Sequence, residues 1–151
     1  MYKRRARVLF VGAGNSCCTQ MAEGWVKHLG GSWLEARSAG IEAHALNVRA
    51  IAVMLEAGVD ISHQESTRLI DELLDWADLV VTVCDVADTR CSSLPHGTQR
   101  KHWSLADPST VRGNDIEITR AFRDVRDDVR RRVEGMIGGM KMLARSSENE
   151  D

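Results

Sequence analysis

A membrane-spanning run is absent from the sequence. The basic start Lys3-Arg4-Arg5 leads into an apolar run of only four residues, Val8 to Val11, too short for a secretory signal or a span. An excess of charge is also missing. The formal net charge is -2, which argues against general nucleic-acid binding, because that needs a concentrated basic surface. No internal repeat or long linker divides the 151 residues, a length that suits one domain with a sizeable core. Cysteine is sparse, with four. With no signal segment the expected place is the cytoplasm. There, cysteines more often mean catalysis, redox chemistry or metal than structural disulfides. The five histidines, His28, His44, His63, His96 and His102, show no ligand spacing and read as solvated or packed side chains.

What is present is concentrated in one stretch, Val8 to Gly24. The apolar run is followed by a short loop, Gly12-Ala13-Gly14-Asn15-Ser16-Cys17-Cys18. Met21, Trp25 and Leu29 then recur at i, i+4, with Ala22 and Val26 beside them, which is the stripe of an amphipathic helix. A loop at a helix N-terminus aims unpaired backbone N–H groups at one spot, where the helix dipole also favours negative charge. Gly12 and Gly14 allow the backbone to approach a ligand closely. The stretch is an oxyanion cradle in outline.

Along the rest of the chain strands alternate with helices. Trp33 to Ala36 is a weak strand signal, and Ser38-Ala39-Gly40 reads as a turn. Asn47 can cap a helix carrying Ile51, Met54 and Leu55, with Gly58 placed to end it. Ser66 can cap another, with Leu69, Ile70, Leu73 and Leu74 on its apolar face. Leu79 to Val83 is apolar and β-branched, as expected for a central parallel strand, and runs into Cys84. A loop with Asp85, Asp88, Arg90 and Cys91 follows. Thr98 to Trp103 is the last strand, and Asp107-Pro108 breaks the chain again. From about Ile116 one long helix carries Ile118, Phe122, Val125, Val129, Val133, Met136 and Met140. Gly135, Gly138 and Gly139 weaken its end, and Ser146 to Asp151 reads as a disordered tail. This alternation predicts an α/β domain over residues 1–145, a parallel sheet with helices on both faces. Ligands in such sheets bind beyond the carboxyl ends of the strands, where the cradle, the Cys84–Cys91 loop and the Asp107 loop would meet.

The segment GNSCCTQMAEGW resembles the phosphate-binding loop of the low-molecular-weight tyrosine phosphatase fold, and in particular that of the thioredoxin-coupled arsenate reductases built on it. RSAGIEAHALN, DLVVTVC with Cys91 seven residues beyond Cys84, and KHWSLADPS resemble further segments of those enzymes, in the same order. The resemblance implies a four-stranded parallel sheet in the order 2-1-3-4. It implies a relay in which a loop cysteine attacks arsenate, the thiol at Cys84 attacks that adduct and releases arsenite, and the thiol at Cys91 takes over before thioredoxin reduces the disulfide. Asp107 falls at the general-acid position. The substrate is then arsenate or another small oxyanion, cradled by Gly12, Ala13, Gly14, Asn15, Ser16, Cys17 and Cys18. The partner is thioredoxin and the protein a monomer.

Two positions depart from that pattern. Gly12 stands where the family has its nucleophilic cysteine, and Cys18 where it has its anion-clamping arginine. Ala13 also stands where threonine is common, whereas Thr19 keeps the Ser/Thr position. Cys17 reads as a small buried hydrophobe or a substitute nucleophile. Cys18, at the helix N-terminus, is placed to be a reactive thiol or merely to fill the arginine's space. Asn15, Glu23 and Ser38 match positions that help bind potassium in some reductases. Arg68 stands where those members have an acidic ligand, so neither potassium nor any other metal or cofactor is expected. Three readings stay open. One is a reductase with altered chemistry, the second a thiol protein that binds arsenite or a soft metal, and the third an inactive scaffold.

Overall fold

Val8 and Phe10 face one core and Leu9 and Val11 the other, all four essentially buried. This alternation of side chains on a strand covered on both sides sets the architecture. The computed structural model describes residues 4–149, with side chains to residue 143. Strand β1 (Ala6–Gly12) leads into α1 (Cys18–Gly30), β2 (Leu34–Gly40), α2 (Val48–Glu56) and α3 (Asp71–Trp76). Then come β3 (Leu79–Thr82), α4 (Asp85–Arg90), β4 (Gln99–His102), a 3₁₀ turn (Pro108–Thr110) and α5 (Asp115–Asn149). All neighbouring strands pair in parallel, in the order β2-β1-β3-β4.

Helices α1, α2 and α5 cover the face of Val8 and Phe10. Met21, Trp25, Met54, Phe122, Val125, Val129 and Val133 fill the space between. Helices α3 and α4 cover the other face through Leu74, Ala87 and Cys91. Strands β2 and β4 are the edges, and the four residues of β4 are exposed. The turn expected at Ser38-Ala39-Gly40 is the last part of β2.

Local chemistry explains where the elements begin and end. Asn47 caps α2 as expected, its Oδ1 accepting from the Arg49 and Ala50 amides at 2.9 and 3.3 Å. Gly58, at φ +84°, ends that helix in the left-handed conformation glycine favours.

Two expected elements differ. The helix expected from Ser66 begins only at Asp71. Residues 66–70 run extended, because the Thr67 carbonyl and Leu69 amide pair with Gly40 at 2.9 and 2.7 Å. Ser66 turns its hydroxyl to the Gly14 carbonyl instead of capping a helix. The segment between Cys84 and Cys91, expected as a loop, winds into α4. Its Ala87 and Cys91 alone are too few to show a helical stripe. Helix α5 continues to Asn149, through most of the segment that the sequence suggests is a tail, and residues 150–151 lie outside the described residues.

Glycines in the helices separate packing from propensity. A Cβ on Gly24 of α1 would lie 2.6 Å from Ile61 Cγ2, whereas one on Gly138 of α5 would meet nothing within 4 Å. Gly24→Ala is therefore expected to destabilise by about 1–3 kcal/mol through overpacking. Gly138→Ala should stabilise by about 0.5–1 kcal/mol through helix propensity. Urea unfolding of both variants checks this, and a stabilising Gly24→Ala would refute the packing account.

Candidate functional site

The segment Ile41–Asn47 fixes the loop after β1. The Gly12, Ala13, Gly14 and Ser16 carbonyls accept from the amides of Ile41, Glu42, His44 and Asn47 at 2.8 to 3.0 Å. In a trans peptide the C=O and the following N–H point in opposite directions. With four carbonyls turned outward, the amides of Ala13, Gly14, Asn15 and Cys17 turn inward, toward the N-terminus of α1. This is the cradle that the sequence outlines.

Buried side chains lock it in place. Asn15 is left-handed, φ 51°. Its Nδ2 donates to Thr19 Oγ1 at 3.0 Å, and its Oδ1 accepts from the Thr67 amide at 2.7 Å and from Gln20 Nε2 at 3.1 Å. Gln20 also donates to the Glu65 carbonyl, and Gln64 donates to Gln20 Oε1 at 2.9 Å. A Cβ on Gly40 would lie 2.7 Å from the Asn15 amide nitrogen, so the exit of β2 presses backbone against backbone at the loop. Glu23 accepts from Ser38 Oγ at 2.7 Å and pairs with Lys27 at 2.6 Å.

The loop encloses a cavity of about 110 Å³. Beyond Gly12–Cys18 its walls are Thr19, Val83, Cys84, Leu105, Asp107 and Ser109. Cys84 and Asp107 thus reach the cradle from two other loops at the same end of the sheet. No arginine, lysine or histidine lines the cavity, so an anion would meet backbone amides and the end of α1 only. Asp107 is held as the cap of the 3₁₀ turn, its Oδ1 accepting from the Ser109 amide at 2.9 Å and hydroxyl at 2.6 Å.

The four cysteines, all free thiols, occupy different environments. Cys17 is buried among apolar side chains. The hydrogen bond to Cys18, followed by burial, pushes its thiol far above the ordinary range, which suits a packed hydrophobe and not a nucleophile. Cys18 is half-buried, lines the cavity and points its thiol at the Ala106 carbonyl 3.8 Å away. Cys84 is half-buried at the N-terminal cap of α4. Cys91 sits at the other end of α4, fully buried in the second core, and burial pushes its thiol up. Cys91 is the one expected site residue that does not reach the cavity, because α4 stands between it and Cys84. Among the described residues no three His, Cys, Asp or Glu side chains converge to hold a metal ion. A soft-ion site made of all four thiols is therefore not preformed.

The sequence reading misses Gln20 and Gln64, whose only trace is the glutamine in the GNSC-x-x-Q motif. It also misses the Ser66 contact, and His102, which lies 2.7 Å from the Thr82 hydroxyl through Nδ1.

The model of the low molecular weight phosphotyrosine protein phosphatase family matches residues 7–149. An arsenate reductase of Halalkalibacterium halodurans is 46% identical over 127 residues, which cover 83% of this chain and 91% of that protein. The arsenate reductase of Bacillus subtilis is 44% identical over the same shares. Among solved structures, an arsenate reductase in the phosphate binding state superposes with a TM-score of 0.73 at 37% identity, over 89% of this chain and 98% of that one. A low molecular weight protein tyrosine phosphatase from T. tengcongensis shares the fold, with a TM-score of 0.76 at 24% identity over 89% and 99% of the two chains.

The thiol environments make a labelling prediction. Iodoacetamide should modify Cys18 and Cys84 of the folded protein at least about tenfold faster than Cys17 and Cys91, because thiolate character and access together set the rate. Peptide mass mapping over a time course reads this directly. Cys91 labelling as fast as Cys84 would contradict its burial.

Proposed function

Because the chain belongs to the low molecular weight phosphotyrosine protein phosphatase family and, within it, to the arsenate reductases, we propose that it reduces arsenate to arsenite by a cysteine relay reset by thioredoxin, and that its altered loop makes it slow. The observation that carries this reading is the meeting of the loop amides, Cys84 and Asp107 in one small cavity. Cys18 is the accessible loop thiol there and takes the place of the missing nucleophile. Its sulfur bonds to arsenic as water leaves, with Asp107 supplying the proton. Cys84 then attacks the Cys18 sulfur, and the electron pair of the S–As bond goes to arsenic, which departs as arsenite. Cys91 attacks Cys84, freeing Cys18, and thioredoxin reduces the Cys84–Cys91 disulfide.

Each departure slows this sequence for a separate reason. Gly12 offers no sulfur at the end of β1, where the loop amides would stabilise a thiolate. Cys18 replaces a guanidinium whose planar fork matches an oxyanion. Charge-assisted hydrogen bonds contribute about 1.5–3 kcal/mol each, so anion affinity falls at least about tenfold. The partner in this reading is thioredoxin, and the working form a cytoplasmic monomer. Among the described residues no helix is long and apolar enough to cross a membrane.

Restoring the loop tests the proposal, and the geometry says how. A Cβ on Gly12 would lie 3.0 Å from Thr19 Cγ2 and 3.2 Å from Val83 Cγ2. Thr19→Ser removes the nearer methyl and keeps the hydroxyl that Asn15 uses. Gly12→Cys, Cys18→Arg and Thr19→Ser together should raise kcat/KM for arsenate by about a hundredfold or more, while Gly12→Cys or Thr19→Ser alone gives little and Cys18→Arg alone abolishes turnover by removing the thiol that now attacks, because groups that act as a unit are non-additive. The assay couples arsenate reduction to thioredoxin, thioredoxin reductase and NADPH. Adding Cys84→Ser to the restored background should leave an adduct on the introduced cysteine after one attack. An unmodified protein as fast as the restored one would show that Gly12 is no lesion.

A further inference from the structure

In an α-helix the rise is about 1.5 Å per residue. Cys84 and Cys91, at the two caps of α4, are therefore about 10 Å apart along the axis, whereas a disulfide needs Cα atoms within about 7 Å. The relay can close only if α4 unwinds. At six residues it is far too short to be stable by itself, so the contacts that tie it to the sheet decide when it opens.

Those contacts are few and specific. Thr82, the last residue of β3, is fully buried. Its hydroxyl lies 2.9 Å from Asp88 Oδ1 in α4 and 2.7 Å from His102 Nδ1 at the end of β4. A hydroxyl has one proton to give. Given to the Asp88 carboxylate, it leaves an oxygen lone pair to accept from His102, which fixes His102 in the form carrying its proton on Nδ1. The chain runs His102 N–H to Thr82 O–H to Asp88 carboxylate. The other charged groups around α4 are either farther from their partners or exposed to water. Arg100 is 3.9 Å from Asp88 and donates to the Cys91 carbonyl at 3.3 Å, Asp85 is 3.9 Å from His102, and Arg90 reaches Asp71 at 3.1 Å.

We propose that Thr82, Asp88 and His102 form a latch that keeps α4 wound, so that Cys91 stays buried and cannot meet Cys84 until the latch opens. None of the three lines the cavity, so they are positioning residues acting through α4. The inference rests on the reading that Cys84 and Cys91 close the relay, but the latch itself is a property of the reduced protein. It places a brake on the second half of the relay. The middle of α4 is held by a polar chain that can be broken and remade, while its ends carry the thiols.

The test uses the full chain with Thr82→Val, which keeps the shape and removes the hydroxyl, Thr82→Ser as rescue, and Asp88→Ala. Hydrogen exchange by mass spectrometry reads the opening of α4 in the reduced proteins. Closure is read by mixing with diamide, which takes two electrons and two protons from the Cys84 and Cys91 thiols as the S–S bond forms and its own N=N bond is reduced to the hydrazine. Thr82→Val should speed exchange of the 85–91 amides about tenfold or more, with those of α1 and α5 unchanged, and speed disulfide formation by a similar factor. Thr82→Ser should restore both. Asp88→Ala is the companion variant. Its carboxylate lies in the first turn of α4, where the helix dipole also favours it, so loss of the latch should quicken exchange by more than the roughly fivefold that the lost dipole interaction accounts for, and Thr82→Val, which leaves that charge in place, separates the two effects. Unchanged exchange at 85–91 in both variants, or exchange raised equally across the molecule, overturns the latch. Faster exchange with no Cys84–Cys91 disulfide in the parent or any variant upholds the latch and removes the relay reading.

Discussion

The outward turn of four loop carbonyls is the constraint on which the site depends. Each hydrogen bond from Ile41, Glu42, His44 and Asn47 sends a carbonyl away from the cavity, and each trans peptide then sends an amide into it. Buried polar groups must be paired to be tolerated at all, and here the pairing is nearly closed upon itself. Asn15, Gln20 and Gln64 are almost fully buried and satisfy one another, the Glu65 carbonyl and the Thr67 amide. Such a network holds one arrangement of the loop because any other leaves donors and acceptors unpaired in a low-dielectric interior.

The cradle, its supports and the approach of Cys84 and Asp107 are in place, while Gly12 carries no side chain and no cationic side chain lines the cavity. A preorganised site costs nothing further to organise when substrate arrives. It still needs a nucleophile. A Cβ at Gly12 would lie 3.0 Å from Thr19 Cγ2 and 3.2 Å from Val83 Cγ2, so a side chain at the end of β1 fits only if these neighbours give way.

The strand–helix alternation, the cradle and the placing of Cys84 and Asp107 at one end were legible in the sequence, because strand periodicity and the loop motif are local signals, whereas the sheet order was implied only by the family resemblance. What was not legible depends on contacts across the chain. Leu69, Ile70, Leu73 and Leu74 form a helical stripe, but pairing with Gly40 holds residues 66–70 in extended backbone. The tertiary hydrogen bonds outweigh the local propensity. Between Cys84 and Cys91 the opposite happens. A segment with little apolar content becomes a helix because Asp88 and Ala87 find partners on the sheet. Likewise nothing in the spacing of the five histidines marks His102, whose partner lies twenty residues away.

Strand β4 ends the sheet with its four residues open to water, and an unpaired strand edge is a template for a second chain. This one carries Arg100 and Lys101 in its middle. A second molecule adding edge to edge would bring two such basic pairs together, which like-charge repulsion disfavours. Arg100 thus has two roles, facing Asp88 of α4 at 3.9 Å and charging the open margin of the sheet.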